Sequence, residues 1–354
     1  MKKTYKKQAF SLIEISIVLL IIGILVAGIV SGKEMISEAR IKAAQAASKR
    51  SPINKIPDLA VWLDSSAENA FKTSSKDNPT ICNGMFDSTS VAYGNPIGDK
   101  IDAIKLVNHN EIEDGDLICA WQDINPQRIQ KVSFYPVKSQ AGLAQARDIV
   151  KYVSDDGISG LPSVSFEGTN GLIGKYIRKS SGSIQFDNIP ATDLSQNNEI
   201  TIFLVSISDD ATGSGVSSGG TTTANAKVFN YNDKIMINLT KTTPASGSST
   251  YQHSSLTTSV QNVIIKKPIL TTIVKTASDL YLYTSNNSAS NTASTTSSID
   301  GDSFFTLGYS NTGTVISQYF KGKISELVIF KRAISEKERK QVQDYLVQKY
   351  KLNK

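Results

Sequence analysis

The hydrophobic pattern divides the chain into one continuous apolar segment near its start and a long region of short, separated apolar runs. From Phe10 to Val30 most residues are apolar, and a helix over this range would be roughly 30 Å long, which matches the hydrocarbon core of a bilayer. Residues 34–49 (EMISEARIKAAQAASK) keep apolar positions at helical spacing. The pattern therefore predicts a membrane-spanning helix that continues outward until Pro52 and Pro57 end it.

Beyond residue 56 the pattern changes to short apolar or alternating runs separated by Gly, Asn, Ser and Asp, which is typical of antiparallel strands. The predicted strands are 59–63, 164–166, 200–208, 226–231, 234–239, 262–265, 269–274, 280–283, 304–307 and 322–330. This arrangement favours an antiparallel sandwich over a parallel sheet with crossover helices. Three inserts are rich in Ser and Thr, have almost no large apolar residues and are predicted to be surface loops: 209–224, 242–259 and 284–298.

The chain closes with a helix whose start is marked by a capping box. The Ser335 side chain is predicted to accept from the Glu338 amide, while the Glu338 side chain reaches back to Ser335. The apolar stripe of this helix is predicted to lie against the strands and consists of Val342, Tyr345, Leu346 and Tyr350. Because the strands and this helix form a complete apolar pattern, the region from residue 56 is expected to fold without the membrane helix.

The charge distribution indicates topology rather than a polyanionic ligand. The four lysines that precede the apolar segment place that end in the cytoplasm and the rest of the chain outside it: Lys2, Lys3, Lys6 and Lys7. They also supply most of the formal net charge of +6. Nucleic acid is therefore not predicted to be a partner.

Residues 6–15 (KKQAFSLIEI) join this basic leader to the apolar segment and resemble the leader of type IV pilins and type II secretion pseudopilins. The resemblance implies cleavage between Ala9 and Phe10, N-methylation of Phe10, and pairing of Glu14 with the amino terminus of a neighbouring subunit. It implies three partners: prepilin peptidase, other pilin or pseudopilin subunits, and the inner membrane. The implied location is the inner membrane with the head outside the cytoplasm, and then a pilus or extracellular filament.

The implied domains are a leader at 1–9, a transmembrane and pilin-like helix at 10–51, and a head at 56–354. An ordinary secretory signal cut near Gly28 or Gly32, or a plain single-span anchor, are the alternatives. Neither alternative accounts for Glu14, because a carboxylate inside a membrane span is costly without a partner.

A second resemblance covers nearly all of the head. Four segments are similar to successive signatures of concanavalin A-like lectin/glucanase jelly rolls of the laminin-G-like group: 59–64 (LAVWLD), 121–123 (WQD), 160–168 (GLPSVSFEG) and 322–335 (GKISELVIFKRAIS). The implied fold class is mainly β, a jelly-roll sandwich preceded by the long transmembrane helix. That fold hosts lectins, adhesive modules and glycosidases, so the function depends on the site.

No enzyme is predicted, because retaining glycosidases need two closely spaced carboxylates and laminarinase-type members carry them in a Glu-x-Asp-x-Glu run. The nearest match is the acidic run 111–114, which is interpreted as solvent-exposed acid. Cys82 and Cys119 are expected to form a disulfide in an oxidising compartment, and a metal site with His109 is disfavoured by the spacing. Trp62 and Trp121 are interpreted as core residues rather than sugar-stacking platforms.

No cofactor is predicted, although three oxygen-rich turns are weak calcium candidates: 114–116, 155–157 and 300–302. The ligand-binding residues are unknown, and residues 251–253 (YQH), in a polar insert, are a candidate contact. The sequence thus favours a minor or specialised filament subunit displaying a jelly-roll head. The alternative is an adhesin module that binds a glycan or cell surface at a filament tip, and a glycoside hydrolase is disfavoured.

Overall fold

A computed structural model describes residues 12–74, 106–107, 112–136, 149–180, 183–211, 215–216, 222–231, 234–243, 250–255, 259–285, 287–294, 298–299, 302–303, 305–311 and 316–352. The first element is one continuous helix, α1 (Leu12–Lys49), of 38 residues, or about 57 Å at 1.5 Å per residue. A 3₁₀ turn (Ile53–Lys55) follows directly after Pro52. The prediction that the helix continues beyond the apolar segment is confirmed.

The remaining described elements are strands, two further helices and a second 3₁₀ turn at Ile158–Gly160. The helices are α2 (Ala191–Leu194) and α3 (Glu336–Lys349). In chain order the strands are β1 (Leu59–Asp64), β2 (Phe71–Ser74), β3 (Leu106–Val107), β4 (Leu117–Gln122), β5 (Val132–Pro136), β6 (Lys151–Val153), β7 (Ser163–Glu167), β8 (Leu172–Ser180), β9 (Ser183–Asp187), β10 (Ile189–Pro190), β11 (Ile200–Ala211), β12 (Gly215–Val216), β13 (Thr222–Tyr231), β14 (Ile235–Thr243), β15 (Thr250–Ser255), β16 (Ser259–Asn262), β17 (Pro268–Lys275), β18 (Asp279–Thr284), β19 (Asn287–Ser294), β20 (Asp302–Ser303), β21 (Phe305–Leu307), β22 (Ser310–Asn311), β23 (Ile316–Ser317) and β24 (Phe320–Phe330).

The strands form two antiparallel layers that are joined at one edge. In the first layer β24 pairs with β1, β7 and β11, and the ladder continues through β17 and β18 to β19. In the second layer β2, β4, β5, β8, β21, β13, β14, β15 and β16 pair in that order. Strand β6 pairs with both β4 and β7 and connects the layers. The predicted fold class, a long apolar helix followed by a β sandwich, is confirmed.

Strand β11 shows how the core is divided. Ile202 and Leu204 belong to the apolar cluster between the two layers, whereas Phe203 and Val205 belong to a second cluster on the outer face of the first layer. Successive side chains in a strand point to opposite faces, so a strand that is apolar at every position must be covered on both sides. The outer cover is helical.

The cover consists of α3 and the last turns of α1. Val342, Leu346 and Tyr350 are fully buried, as predicted for the stripe of the capped C-terminal helix, and the capping box at Ser335 is present. Ala44 of α1 is buried in the same cluster. Part of the outer apolar face of the first layer is therefore covered by α1, and the expectation that the head folds without this helix stays a prediction.

The prediction that the three Ser- and Thr-rich inserts are loops is also wrong in part. Described segments of them extend β11 and β13 and form β12, β15 and β19, and β15 pairs with β14 along the register Lys241–Tyr251. Thr is β-branched and favours strands, and a backbone ladder needs no large apolar side chain. Residues 251–253 consequently lie in strand β15, not in a loop.

Candidate functional site

The first half of α1 presents apolar side chains to its surroundings and not to the head. Leu12, Leu20 and Ile24 are 84%, 64% and 66% exposed. Within the described part of the chain, α1 is the one helix long and apolar enough to cross a membrane. An exposed apolar surface of this extent is unfavourable in water and marks a segment that contacts lipid or other apolar helices.

Glu14 lies in the first described turn of α1 and is exposed. A carboxylate in an apolar helix is costly in lipid unless it pairs with a cation, because lipid does not solvate the charge. Ala9 and Phe10, the predicted cleavage and methylation residues, lie outside the described residues. The roles assigned to all three residues stay predictions.

The other end of α1 is fixed to the head by a polar contact inside the apolar cover. Ser48 is one helical turn after Ala44 and lies on the same face, and both are 5% exposed. The Ser48 hydroxyl donates to Asp64 Oδ2 at 2.6 Å and accepts from Lys349 Nζ at 3.0 Å. This one side chain connects α1 to the first strand and the last helix of the head.

Ser48 borders a group of three ionisable residues that we name the buried charge cluster: Asp64, Glu326 and Lys349. Lys349 Nζ donates to Asp64 Oδ2 at 2.7 Å and to Glu326 Oε2 at 2.8 Å. The Lys349 side chain is 1% exposed and both carboxylates are fully buried. The cluster brings together the end of β1, the middle of β24 and the end of α3.

Every oxygen of the two carboxylates has a donor. Asp64 Oδ1 accepts from the amide and the hydroxyl of Ser66 at 2.9 and 2.6 Å. Glu326 Oε1 accepts from Trp62 Nε1 at 2.8 Å, and Oε2 also accepts from the Tyr350 hydroxyl at 2.9 Å. Buried charge is tolerated only with such complete pairing, because the desolvation cost is otherwise several kcal/mol per ion.

The cluster contains two acids and one base, and this imbalance determines its protonation. Burial, assisted by the charge of Asp64, raises the pKa of Glu326 to about 7, although Lys349 opposes the shift. Burial also acts to raise the pKa of Asp64, but the charge of Lys349 together with the hydrogen bonds from Lys349, Ser48 and Ser66 outweighs it and holds that pKa below its usual value. Burial disfavours the Lys349 cation, yet the two carboxylates keep its pKa raised. Of the two carboxyl groups, Glu326 is therefore the one whose protonated form the cluster favours.

A separate polar groove opens beside the start of β1, between the turn after β4 and the segment that follows α2. Its volume is about 720 Å³, and its lining residues are Asp58, Leu59, Gln127, Arg128, Thr192, Ser195, Gln196, Asn197 and Lys331. Arg128 and Lys331 both approach Asp193 Oδ1, at 3.0 and 3.7 Å. Two cations thus share one carboxylate, and the groove offers amide, hydroxyl and cationic groups to a polar ligand.

The acidic turns considered for calcium make contacts within the protein. Asp114 Oδ1 accepts from the Ser154 amide at 2.8 Å, and Asp156 Oδ2 pairs with Lys323 Nζ at 2.7 Å. Of the third turn only Asp302 is described. Among the residues that the structure describes, no group of three or more His, Cys, Asp and Glu side chains could hold a metal ion.

The remaining candidate residues lie in several places. Trp62 and Trp121 are 2% and 0% exposed, which confirms that they are core residues. Cys119 is buried in β4, but Cys82 lies outside the described residues, so their pairing stays a prediction. Of the acidic run 111–114, residue 111 also lies outside them.

Comparison with known families identifies the start of the chain. Residues 4–30 match the prokaryotic N-terminal methylation motif, which confirms the predicted resemblance of this segment to prepilins. No curated protein matches the sequence.

Comparison with solved structures gives only weak likenesses. Domain 4 of AbnA, a GH43 extracellular arabinanase from Geobacillus stearothermophilus, aligns at 14% identity over 66% of this chain and 99% of that chain, with a TM-score of 0.39. An arabinofuranosidase complexed with arabinofuranosyl-α-1,2-xylobiose aligns at 11% identity over 67% and 52%, with a TM-score of 0.40. A sialidase from Trypanosoma rangeli aligns at 11% identity over 65% and 31%, with a TM-score of 0.33. Likenesses at these scores carry no argument about function.

Proposed function

We propose that this chain is a minor or specialised subunit of a type IV pilus or of a type II secretion-like pseudopilus, and that it displays its head without acting as an enzyme on a substrate. The observation that carries this proposal is the methylation motif at 4–30, which runs into a helix that is apolar and exposed at its start and packed against the head at its end. Such a helix can belong to a filament core while it holds the head outside.

The proposal includes the domain plan and the processing. A leader at 1–9 is removed by prepilin peptidase between Ala9 and Phe10, Phe10 is N-methylated, and the mature helix remains in the inner membrane with the head outside the cytoplasm. Residues 56–354 form a concanavalin A-like jelly-roll head in which Cys82 and Cys119 are linked. Mass spectrometry of the mature amino terminus should find methylated Phe10, and a terminus near Gly28 or Gly32 would contradict the proposal.

Assembly into the filament is proposed to depend on Glu14. Its carboxylate costs on the order of a few kcal/mol in lipid without a partner, so pairing with the amino terminus of a neighbouring subunit favours docking into the filament. The variant Glu14→Val should reach the membrane at normal levels and fail to enter filaments. Glu34→Val is the matched control, because Glu34 lies on the same helix beyond the apolar segment. Normal incorporation of Glu14→Val would refute the assigned role.

A second candidate function, adhesion, is favoured by the polar groove. Its lining of amide, hydroxyl and guanidinium groups is suited to a ligand with many hydroxyls, such as a glycan, because planar polar side chains give directional hydrogen bonds. The full-length protein in detergent should then bind members of a glycan array, and Arg128→Met should weaken that binding. If the wild-type protein binds no glycan or cell surface, and deletion of its gene stops filament assembly, the adhesion proposal is refuted and the structural role remains.

A further inference from the structure

The buried charge cluster holds an amine against a carboxylate in a place that excludes water. Lys349 Nζ is 2.7 Å from Asp64 Oδ2 and 2.8 Å from Glu326 Oε2. The three residues come from α3, β1 and β24, so the completed fold is what brings them together. Groups fixed at this range react as though they were at very high concentration, with effective molarities of about 10⁵ M or more when the geometry is favourable.

The contacts of Asp64 differentiate its two oxygens. Oδ1 accepts two hydrogen bonds from Ser66, one from the amide and one from the hydroxyl. Two donors aimed at one oxygen stabilise the negative charge that develops there when a nucleophile attacks the carboxyl carbon. Oδ2 instead faces Lys349 Nζ and the Ser48 hydroxyl. Oδ1 is therefore placed as the oxygen that is retained, and Oδ2 as the oxygen that leaves.

The geometry points to a spontaneous isopeptide bond between Lys349 Nζ and Asp64 Cγ, with Glu326 as the catalytic residue that transfers protons. The reactants are the ammonium group, which carries three hydrogens, and the ionised carboxylate. One proton passes from Nζ to Asp64 Oδ2 along their hydrogen bond, and the freed Nζ lone pair forms the bond to Cγ. A second proton passes from Nζ to Glu326 Oε2 along theirs and is then given to Oδ2, the Cγ–Oδ2 bond breaks, and Oδ2 leaves as water.

This step balances without any further reactant. The product is one neutral secondary amide and one water molecule, and Glu326 returns to its initial protonation state. Burial raises the pKa of Glu326 to about 7, and a group that both accepts and donates a proton works best when its pKa is near the working pH. The dry surroundings protect the amide, since hydrolysis needs water at the same carbon.

The position of this bond gives it a mechanical consequence. It would connect two residues 285 positions apart, at the first strand and the last helix of the head. Ser48, at the end of the membrane helix, contacts the same oxygen of Asp64. A force applied along α1 is therefore transmitted to the head at this contact. A covalent link between β1 and α3 prevents the head from opening from its ends under that load.

Tryptic mapping of the full-length wild-type protein tests the inference directly. A linked Lys349 resists trypsin, so the expected product is a branched peptide in which residues 56–72 are joined to residues 341–351. Its mass should be the sum of the two peptides minus one water. Recovery of the separate peptide 341–349 and the free peptide 56–72 from folded protein, after prolonged incubation at neutral pH, would overturn the inference.

Variants separate the nucleophile from the proton-transfer group. Lys349→Met should abolish the branched peptide, whereas Lys340→Met should retain the link, in a branched peptide that begins at position 340 because this variant loses one trypsin site. Lys340 lies in the same helix with its side chain 63% exposed. Glu326→Gln keeps the size of the side chain but removes its ability to carry a proton between the two reacting groups, and it should leave the peptides separate in protein whose circular dichroism is unchanged. Linkage of Glu326→Gln at the wild-type rate would overturn the role of Glu326.

Asp64→Asn identifies the leaving group. The same attack on a carboxamide releases ammonia in place of water, so the branched peptide should form with the same final mass as in the wild type. The intact protein should correspondingly lose the mass of ammonia relative to its sequence. A folded Asp64→Asn protein that retains its full mass while the wild type is linked would contradict the attack at Cγ.

Discussion

Docking of α1 on the head can be tested with one substitution at the centre of the contact. Ala44 is 5% exposed and lies in the apolar cluster shared with α3. Its neighbour Ala43 is exposed on the same helix. Ala44→Asp places a carboxylate in the apolar contact, whereas Ala43→Asp makes the same chemical change one position away in water.

The expected difference follows from burial. Both substitutions lose about 0.6 kcal/mol of helix propensity, which cancels in the comparison. Ala44→Asp must also bury an unpaired carboxyl group, either charged or after protonation. Raising its pKa by about 2 to 3 units costs on the order of 3 to 4 kcal/mol at neutral pH, at 1.36 kcal/mol per unit. If α1 instead separates from the head, the loss of unfolding free energy cannot exceed the free energy with which α1 docks on the head.

The assay is urea unfolding of the full-length variants in detergent, followed by tryptophan fluorescence. Trp62 belongs to the same apolar cluster and donates to Glu326, so its emission should respond when α1 leaves. Ala44→Asp should lower the free energy of unfolding by about 3 kcal/mol relative to Ala43→Asp, or show a separate early transition. Free energies that agree within about 0.5 kcal/mol, the range of ordinary surface substitutions, would refute docking.

Three further predictions concern the head. Gly322→Ala should destabilise the protein by more than about 1 kcal/mol, as measured by thermal unfolding, because Gly322 has a φ of +154° and an added Cβ would lie 2.1 Å from the Ile207 carbonyl oxygen. Ser335→Ala should cost about 1 kcal/mol of unfolding free energy through loss of the α3 capping box. The hydrogen bond from Arg332 lowers the pKa of Glu338 to about 2. The stabilisation from this pair should be fully present above the pKa that Glu338 has in the unfolded chain, and it should be lost as the pH falls towards 2. In an acid titration, the unfolding free energy of Arg332→Met should lack this pH-dependent contribution.

Local patterns predicted much of the fold. The run Ile200 to Ser208 is apolar or β-branched at nearly every position, and it became a central strand that is buried on both faces. The capping box at Ser335 correctly marked the start of α3. These features could be predicted because burial of alternate residues and capping depend on neighbours in sequence. The packing of Ala44 on the head could not be predicted in this way, because α1 and the elements that it contacts are distant in sequence.

The acidic run and the aspartate turns drew attention in the sequence because their charges are adjacent, yet Asp114 and Asp156 contact Ser154 and Lys323 within the protein. The members of the buried charge cluster differ, because each is a single charged residue next to an apolar stretch of sequence. Glu326 immediately precedes the strongly apolar run Leu327 to Phe330, Asp64 directly follows 59–63, and Lys349 adjoins the stripe residue Tyr350.

A charged residue next to a strongly apolar segment is costly to bury alone, so such residues are expected to find partners of opposite charge. Asp64, Glu326 and Lys349 are three such residues in three separate elements, and the single positive charge balances one of the two negative charges. Sequence patterns can nominate that set, but the distances of 2.7 and 2.8 Å that make Lys349 a candidate nucleophile arise only when β1, β24 and α3 pack together. The chemistry of this cluster is consequently a property of the folded head, and its amide should form only after folding. Protein that is isolated unfolded from inclusion bodies, and has therefore never folded, should gain the branched peptide on dilution from urea with a lag behind the recovery of Trp62 fluorescence. A link that precedes this recovery would contradict a reaction directed by the fold.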